Sequence, residues 1–331
     1  MPEHGGNLND AARHFGRPVD QWIDLSAGLN PHGYPVPELP SQAWHRLPQL
    51  DRALLDAARH FYGMPSVLAV AGTQAAIQAL PALRAPSRVV IAAPSYAEHA
   101  HHWARHGHVM REVPYARLQG ALKECDVMVV CNPNNPTGAT VPADQLLQWS
   151  RKLRTRGGWL VVDEAFGDLT PELSVARWSD QPGLVVLRSV GKFFGLAGVR
   201  AGFVGAHAEL LVALADGLGP WTLTGPSQLV ARAALEDIVW QTQARKSLVS
   251  LGERMGALLA RHGIAATGTA LFHWWAQENP EAFWRHMAER GIWVRLFTEA
   301  ARGIRLGLPA SEAHWAQLES ALNEWTRKTS C

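Results

Sequence analysis

Residues 189–202 read Ser-Val-Gly-Lys-Phe-Phe-Gly-Leu-Ala-Gly-Val-Arg-Ala-Gly and follow a short apolar run. Similar runs recur along the chain, and we interpret them as strands at 67–71, 88–92, 127–131, 159–162, 184–187 and 202–205. Helix-like segments separate several of them, an alternation typical of an α/β fold with a mostly parallel sheet buried on both faces. Polar stretches beginning at Gly72, Pro94, Asn132, Asp163 and Ser189 follow the carboxyl ends of these runs. Ligands bind at that edge of an open α/β sheet.

The composition excludes several classes of protein. With 331 residues, 47% of them hydrophobic, the chain can bury a large core. Its formal charge of +2 gives no electrostatic reason to bind nucleic acid or an anionic membrane. Cys125, Cys131 and Cys331 match neither a disulfide framework nor a metal spacing, which indicates a reducing compartment. The opening MPEHGGNLND lacks an apolar signal core, and no apolar run approaches the roughly 18 residues of a membrane helix. We therefore expect a cytoplasmic protein without nucleic-acid or membrane partners.

The domain organisation changes towards the carboxyl end. Residues 227–262 have a helical pattern with an interruption expected near Gly252, and Gly263 is a plausible stop. After it, strand-like and helix-like segments alternate in a small α+β domain, with strands at 268–276, 292–297 and 304–308 and helices at 280–290 and 311–328. We predict an extended N-terminal arm at 1–45, a large domain at 46–220 and a small domain at 221–331.

Lys192 is the first candidate for chemistry. An amine beside Phe193 and Phe194 is favoured in its neutral form, which is the form that can bind an aldehyde covalently. Ser189 and Arg200 could supply a hydroxyl and a guanidinium group to a phosphate. A single loop lysine is more often simply solvated, so the prediction depends on the other motifs.

Four further motifs precede Lys192 in the chain. Gly72-Thr73-Gln74 opens a helix-like segment and could offer backbone N–H groups to a phosphate, although an ordinary helix cap looks the same. Residues 131–138 read Cys-Asn-Pro-Asn-Asn-Pro-Thr-Gly, a loop whose prolines and glycine fix the amide of Asn135. Asp163 ends an apolar strand and could instead cap a helix, and Tyr96 could instead be a core residue.

In this order, the motifs resemble those of fold-type I pyridoxal-phosphate enzymes, the class I/II aminotransferase family. The resemblance implies pyridoxal 5'-phosphate as the cofactor, with Lys192 as its covalent anchor. It implies that Asp163 holds the pyridine nitrogen, Asn135 the phenolic oxygen, and Tyr96 the face of the ring. Lys192, Asp163 and Tyr96 are thereby the predicted catalytic residues. The predicted ligands of the cofactor phosphate are Gly72, Thr73, Gln74, Ser189 and Arg200.

Three positions depart from the family pattern. Phe166 stands where members often have a tyrosine that contacts the cofactor oxygen, and Gly191 where Ser or Thr is common. Leu47, within Arg46-Leu47-Pro48, replaces a tyrosine that reaches the phosphate in the neighbouring subunit. Fold-type I sites usually form at a dimer interface, so the resemblance implies a homodimer, while Leu47 puts one intersubunit contact in doubt.

The N-terminal segment narrows the reaction. It carries His4-Gly-Gly-Asn7 and, at 22–31, Trp-Ile-Asp-Leu-Ser-Ala-Gly-Leu-Asn-Pro. Both elements resemble the threonine-phosphate decarboxylases of cobalamin biosynthesis, and that similarity runs through nearly the whole chain. It implies a small phosphorylated amino acid as substrate: L-threonine O-3-phosphate, converted to (R)-1-aminopropan-2-yl phosphate. By resemblance, Arg305 binds the carboxylate and Arg295 the phosphate. Other predicted substrate ligands are His4, Gly5, Gly6, Asn7 and Asn30, where the glycines could also be ordinary turn residues.

Three alternatives remain open at this stage. A histidinol-phosphate-type aminotransferase shares the cofactor motifs, a phosphorylated substrate and both arginines. A metal-binding protein could use His99, His101, His102, His106 and His108, of which His102 and His106 are one helical turn apart. We expect no metal, because no cysteine or carboxylate pattern completes such a site. A regulatory cofactor-binding domain is disfavoured by the absence of a basic helix-turn-helix extension.

Overall fold

The computed structural model describes residues 5–299 and 301–329. Its helices are α1 (Leu8–Phe15), α2 (Gln42–His45), α3 (Arg52–Tyr62), α4 (Thr73–Ala79), α5 (Ala97–Arg105), α6 (Leu118–Ala121), α7 (Ala143–Arg154), α8 (Ala208–Leu218), α9 (Gly225–Glu236), α10 (Ile238–Arg261), α11 (Pro280–Glu289) and α12 (Glu312–Thr329). Its strands are β1 (Ile23–Asp24), β2 (Val67–Val70), β3 (Arg88–Ala93), β4 (Val109–Pro114), β5 (Val127–Cys131), β6 (Trp159–Asp163), β7 (Leu184–Ser189), β8 (Gly202–Gly205), β9 (Thr267–Thr269), β10 (Phe272–Ala276), β11 (Ile292–Trp293), β12 (Arg295–Phe297) and β13 (Gly303–Leu306).

The contacts divide the described residues into two compact units. The large unit comprises Gly33–Asn135 and Ala139–Thr242, and the small unit comprises the residues up to His32, Pro136–Gly138 and the residues from Gln243 onwards. The boundaries that we predicted from sequence character, 1–45, 46–220 and 221–331, stay a prediction. Within the described residues, none of the helices combines the length and apolarity needed to cross a membrane.

The large unit is built on a seven-stranded sheet with the order β2-β8-β7-β6-β5-β3-β4. β4, β3, β5, β6 and β7 are parallel neighbours, and β8 runs antiparallel between β7 and β2. The predicted α/β class with a mostly parallel sheet is therefore confirmed. Since β2 and β7 are both antiparallel to β8, they point the same way, and the polar stretches after β2, β3, β5, β6 and β7 all lie at one edge.

Burial explains why the strand runs are almost continuously apolar. All five residues of β5 are buried, as are the first five of β7. The core on one face of the sheet includes Val127, Val129 and Val161, together with Trp103 from α5. A sheet covered on both faces needs apolar side chains at consecutive positions rather than at alternate ones. β4, by contrast, is an edge strand with mostly exposed side chains, and the apolar pattern did not predict it.

Local signals set the ends of the helices. α3 begins at Asp51, whose carboxylate accepts a hydrogen bond from the backbone N–H of Ala53 at 2.9 Å. It ends at Gly63, which adopts φ 70°, a left-handed conformation that glycine reaches without a steric penalty. The residues between them bury Leu54, Ala57 and Ala58, which lie on one face of the helix.

The small unit contains a four-stranded antiparallel sheet with the order β12-β13-β10-β9, and β1 pairs in parallel with β11. Aromatic rings join its first residues to α11 and β11. Phe15 contacts Trp22 with ring centroids 5.8 Å apart and Trp284 at 5.5 Å, and Trp22 lies 5.6 Å from Trp293. These edge-to-face contacts hold the N-terminal residues within the small unit.

The structure corrects two expectations. The prediction that residues 1–45 form an extended arm is wrong, because α1, β1 and α2 lie within them. The helical run breaks at Asp237 rather than near Gly252, since the Asp237 carboxylate caps α10 by accepting from the backbone N–H of Trp240 at 2.9 Å. Gly252 instead permits close packing, because a Cβ there would lie 2.8 Å from the Cα of Ala270.

Candidate active site

Two motifs that are far apart in the sequence meet where β8 begins. Ser189 pairs with Gly202 across β7 and β8, and a Cβ at Gly202 would lie 2.6 Å from the backbone nitrogen of Thr73. A Cβ at Gly72 would lie 2.6 Å from Nη2 of Arg200, and Gly72 adopts φ 73°, a backbone conformation that favours glycine. The fold thus brings together four of the five predicted phosphate ligands together with Gly202.

Gln74, the fifth predicted phosphate ligand, belongs to a polar network on α4 and α5. Its amide nitrogen donates to the buried carboxylate of Glu98 at 2.5 Å, and its amide oxygen accepts from the hydroxyl of Tyr96 at 3.3 Å. His102 lies 3.1 Å from the same Glu98 oxygen. Burial raises the pKa of Tyr96, so its hydroxyl stays protonated and donates. The side chain of Gln74 therefore fixes Tyr96 in the structure.

Asp163 is buried at the last position of β6 and is paired with His99. The Asp163 carboxylate lies 2.9 Å from Nε2 of His99, and its other oxygen accepts from the backbone N–H of Ala165 at 3.0 Å. Burial alone would lower the pKa of His99, but hydrogen bonds with Asp163 and Cys131 raise it to about 10. At neutral pH His99 is therefore an imidazolium, and it donates a hydrogen bond to Asp163.

The loop after β5 is held rigidly by its buried asparagines. Asn132 exchanges hydrogen bonds with the backbone of Val141 at 2.8 and 3.0 Å, and the amide of Asn134 donates to the carbonyl of Pro94 at 2.9 Å. Asn135, the predicted cofactor ligand, is partly exposed beside these anchors. Its predicted contact with a phenolic oxygen stays a prediction.

Lys192 follows β7 in a turn lined by aromatic side chains. It is partly buried, and its Nζ lies 5.3 Å from the centroid of the Phe166 ring. Phe193 and Phe194, directly after it, are buried. Phe166 is one of the three departures from the family pattern, and the structure places it beside the predicted covalent lysine. Gly191, another departure, donates its N–H to the hydroxyl of Ser189 at 3.1 Å.

Four of the five histidines of the metal hypothesis hydrogen-bond to different groups, and the ring of the fifth, His101, lies 5.0 Å from the ring of His102. His99 bonds Asp163 and His102 bonds Glu98, while His106 bonds the carbonyl of His102 and His108 bonds the backbone of Ser87 and Pro81. A different set, His99, Cys131 and Asp163, has ligand atoms within 4.8 Å of one another. Metal ligation needs a neutral imidazole, and the raised pKa of His99 instead favours its role as a hydrogen-bond donor to Asp163.

A buried network of ion pairs involves residues adjacent in sequence to two of the predicted cofactor ligands. Arg188, which precedes Ser189, binds the carboxylates of Glu164, which follows Asp163, and of Asp168. All three side chains are almost fully buried, and the Arg188 guanidinium lies 4.6 Å from the ring centroid of Tyr62. Removing one partner of such a network would leave an uncompensated buried charge. The network therefore fixes the ends of β6 and β7.

The small unit places two arginines directly opposite each other. Arg295 on β12 and Arg305 on β13 are Cα partners in an antiparallel pair, so their side chains share one face of the sheet. Burial and the charge of Arg295 lower the pKa of Arg305 to about 10, while Asp24 partly opposes this shift. Like charges at opposite positions are destabilising unless an anion is bound, and the arrangement favours an anionic ligand.

The other predicted substrate ligands of the small unit differ in their surroundings. Gly6 donates its N–H to the hydroxyl of Ser26 at 2.7 Å, and Gly5 packs on the backbone of the same residue. Asn30 is buried and its side-chain oxygen accepts from the N–H of His32 at 2.9 Å. Asn7 caps α1, which gives its side chain a structural role, and its predicted substrate contact stays a prediction. His4 lies outside the described residues.

The sequence reasoning did not identify the roles of five residues of these networks. It assigned His99 and His102 to a possible metal cluster and gave no role to Glu98, Arg188 or Ser26. The position of His99 three residues after Tyr96, on the same helical face, was the available signal. Its partner Asp163 could be recognised only from the neighbouring positions of β3, β5 and β6.

Comparison with known proteins decides the family. Residues 20–314 match the family described as aminotransferase class I and II. The chain belongs to this family. It is 50% identical to the threonine-phosphate decarboxylase of Pseudomonas aeruginosa over 323 residues, 97% of each chain. It is 39% identical to the Sinorhizobium threonine-phosphate decarboxylase over 332 residues, 96% of this chain and 97% of the relative.

Solved structures of the family share the fold. Histidinol-phosphate aminotransferase from Sinorhizobium meliloti, solved with pyridoxal 5'-phosphate, has a TM-score of 0.82 at 22% identity, covering 99% of this chain and 96% of that one. L-threonine-O-3-phosphate decarboxylase from Porphyromonas gingivalis has a TM-score of 0.73 at 17% identity, covering 98% and 97%. At these identities the likeness establishes the fold-type I architecture and leaves the choice of reaction to other observations.

The residues of the large unit fit pyridoxal phosphate. A buried carboxyl group that is hydrogen-bonded to His99 suits a protonated pyridine nitrogen, and the space kept open at Gly72 lets Arg200 approach the backbone around Thr73. A lysine amine lies among aromatic side chains in the turn after β7. The arrangement combines a cationic phosphate cup, a carboxylate and an amine, the groups that this cofactor needs.

Proposed function

We propose that this aminotransferase-family protein is a pyridoxal-phosphate-dependent decarboxylase of L-threonine O-3-phosphate, with (R)-1-aminopropan-2-yl phosphate as its product. The geometric observation that carries the proposal is the opposed pair Arg295 and Arg305, because it favours a substrate with two anionic groups. The 50% identity to a threonine-phosphate decarboxylase over 97% of both chains supports the same reaction. The product supplies the aminopropanol linker of cobalamin.

The proposed reaction assigns a task to each unit's residues. Arg305 binds the substrate carboxylate and Arg295 the phosphate, aided by Gly5, Gly6 and Asn30. The bound cofactor provides an electron sink for the charge that develops at the substrate Cα. With the cofactor bound, Asp163, hydrogen-bonded to His99, would hold the pyridine nitrogen, and Tyr96 would pack on the ring. The bond between Cα and the carboxylate breaks, CO2 leaves, and the amine of Lys192 returns a proton to Cα.

A single assay tests the reaction. Purified protein loaded with pyridoxal phosphate is given L-threonine O-3-phosphate without a keto acid, and CO2 and aminopropanol phosphate are measured together. We expect equimolar formation of both. A requirement for a keto-acid acceptor, with a keto product and no CO2, would instead identify an aminotransferase of the histidinol-phosphate type.

The proposal includes a homodimer. Apolar side chains of the large unit are exposed around α2 and the loop before α9: Trp44 is 66% exposed, Leu47 67% and Trp221 58%. An exposed apolar patch of this kind marks a protein interface, and a second copy of the chain is the partner that we propose. Sedimentation velocity should give the mass of a dimer, and Trp44→Glu should shift it to a monomer. A wild-type monomer at micromolar concentration would contradict the proposal.

We also place the enzyme in the cytoplasm. Cys125 and Cys131 are free thiols, both buried, in the described part of the chain. Free thiols persist in a reducing compartment. A fractionation experiment that follows the native protein would check this location.

A further inference from the structure

Ser26 is a buried residue whose polar groups all engage neighbours in the small unit. Its N–H and its hydroxyl both donate to Oδ1 of Asp24, at 2.8 and 2.6 Å. The same hydroxyl accepts from the N–H of Gly6 at 2.7 Å, and the carbonyl of Ser26 accepts from Nη2 of Arg305 at 2.6 Å. One residue thus contacts two of the segments that we predict to bind substrate.

Backbone contacts on both sides fix the position of Ser26. The N–H of Leu25 donates to the carbonyl of Trp293 at 2.8 Å, which continues the pairing of β1 with β11. The carbonyl of Leu25 accepts from the N–H of Gly307 at 2.7 Å, directly after β13. Ser26 is therefore held between two strand ends and cannot move without disturbing both.

Gly5 and Gly6, beside Ser26, each require glycine for a different reason: Gly5 because it is closely packed, and Gly6 because of its backbone conformation. A Cβ at Gly5 would lie 2.6 Å from the carbonyl oxygen of Ser26, and Gly6 has φ 84°, which favours glycine. The hydrogen bond from the Gly6 N–H to the Ser26 hydroxyl then fixes the position of the Gly5-Gly6 turn relative to Ser26. Because Asp24 accepts the hydroxyl proton, the lone pairs of that oxygen remain available to Gly6.

Arg305 is oriented from the same point. Its guanidinium is buried opposite Arg295 and lies 5.3 Å from the Phe272 ring centroid, so few geometries are open to it. The Ser26 carbonyl accepts from Nη2 of this guanidinium, which fixes the direction in which the side chain points. An arginine needs such a fixed orientation to bind a carboxylate through two parallel hydrogen bonds.

We propose that Ser26, held by Asp24, is a positioning residue that sets both the glycine turn at Gly5-Gly6 and the guanidinium of Arg305, and thereby the affinity for a phosphorylated amino acid. The inference rests on the proposed function for the identity of the substrate. Ser26 acts through Gly6 and Arg305, and takes no part in bond breaking.

The test compares Ser26→Ala with wild type as cofactor-loaded proteins. The variant keeps the backbone carbonyl for Arg305 and loses the hydroxyl that holds Gly6, so we expect the KM for threonine phosphate to rise about tenfold. We expect kcat to stay within about twofold, because the lost hydrogen bond orders the ground state and the transition state alike. The absorbance of the lysine-linked cofactor should be unchanged.

Ser311→Ala is the matched control. Ser311 is an exposed serine of the small unit whose hydroxyl accepts from the N–H of His314 at the start of α12. Its loss lowers stability without touching Gly6 or Arg305, so KM should stay at the wild-type value. Asp24→Asn retains an acceptor for Ser26 without its charge and should give an intermediate KM. Equal KM values for Ser26→Ala, Ser311→Ala and wild type would overturn the inference.

A binding measurement separates this inference from the proposed reaction. The dissociation constant of inorganic phosphate is measured by calorimetry on the same cofactor-loaded proteins. We expect about tenfold weaker binding for Ser26→Ala and none of this change for Ser311→Ala. If wild type releases no CO2 but phosphate binding still weakens in Ser26→Ala, the proposed reaction fails and the positioning role holds. Unchanged phosphate binding together with an unchanged KM rejects the positioning role.

Discussion

The ionisable groups of the large unit and of the small unit are arranged in opposite ways. In the large unit, Asp163 is paired with His99, and Arg188 with Glu164 and Asp168, so cations and anions lie together. In the small unit, Arg295 and Arg305 lie opposite each other as like charges. The comparison indicates that the large unit places opposite charges together, whereas the small unit brings two like charges onto one face of a sheet, an arrangement that favours an anionic ligand.

Replacing Lys192 gives the largest effect that we predict. Lys192→Ala removes both the covalent anchor and the amine that returns the proton, so kcat should fall by at least about 10³-fold. CO2 release and the absorbance of the lysine-linked cofactor measure the two losses. Lys152→Ala, an exposed lysine of the same unit, serves as control. Substantial activity in Lys192→Ala would remove the central assignment of the large unit.

Replacing Arg305 tests the other side of the comparison. Arg305→Met removes the buried charge that we assign to the carboxylate, and kcat/KM should fall by about 100-fold, with Arg305→Lys less affected. Arg302→Met removes an exposed arginine of the same unit that pairs with Glu281, and should be close to wild type. Steady-state kinetics with threonine phosphate compare the three variants. Similar kcat/KM values for Arg305→Met and Arg302→Met would argue against the carboxylate assignment.

The pair of His99 and Asp163 predicts a pH dependence of stability. The pKa of His99 is raised from its ordinary 6.5 to about 10, so its stabilisation is complete below about pH 6.5 and is lost as the pH rises through about 10. The free energy of unfolding of cofactor-free wild type should exceed that of His99→Gln by about 2 kcal/mol more at pH 6 than at pH 10. Denaturant titrations at both pH values measure this difference. His106→Gln, at an exposed histidine directly after α5, is the control, and a pH-independent difference for His99→Gln would refute the charged pair.

The smallest predicted effect concerns the arginine pair without substrate. Arg295→Gln removes the repulsion across β12 and β13 and should raise the free energy of unfolding by up to about 1 kcal/mol. The same change should raise the KM for threonine phosphate, so stability and function move in opposite directions. Denaturant titrations of substrate-free wild type and Arg295→Gln measure the difference in the free energy of unfolding. A loss of stability in Arg295→Gln would mean that the pair is already compensated in the free enzyme.

The sequence predicted those features that are local or that occur at strand ends. The apolar runs identified six strands of the large sheet, and the polar residues directly after them, such as Gly72 and Asn132, were already placed at one edge. This works because buried parallel strands require continuous apolar residues and because their carboxyl ends coincide. The proximity of Arg295 and Arg305 could also be predicted from the sequence, since they occupy neighbouring candidate strands.

The partnerships between distant residues were beyond the sequence. The pairing of His99 with Asp163 depends on the relative positions of α5 and β6, which no local pattern encodes. The break at Asp237 involves Gln241, whose amide donates to the carbonyls of Ala234 and Leu235 at 2.9 and 3.0 Å. These hydrogen bonds satisfy the last backbone carbonyls of α9. The sequence prediction instead relied on glycine, the usual residue at a helix end, and therefore placed the break near Gly252.

The antiparallel strand β8 has a consequence for the folding of the chain as it is synthesised. β8 inserts between β2 and β7, and β2 lies more than a hundred residues earlier in the chain. Gly72 and Thr73 meet Arg200 and Gly202 only once this pairing, the longest in sequence within the seven-stranded sheet, has closed. A nascent chain that ends before residue 205 therefore has no complete cup for the cofactor phosphate. Cofactor that binds only the closed sheet would stabilise the finished fold by mass action, so we expect more folded enzyme to accumulate when the supply of cofactor is high.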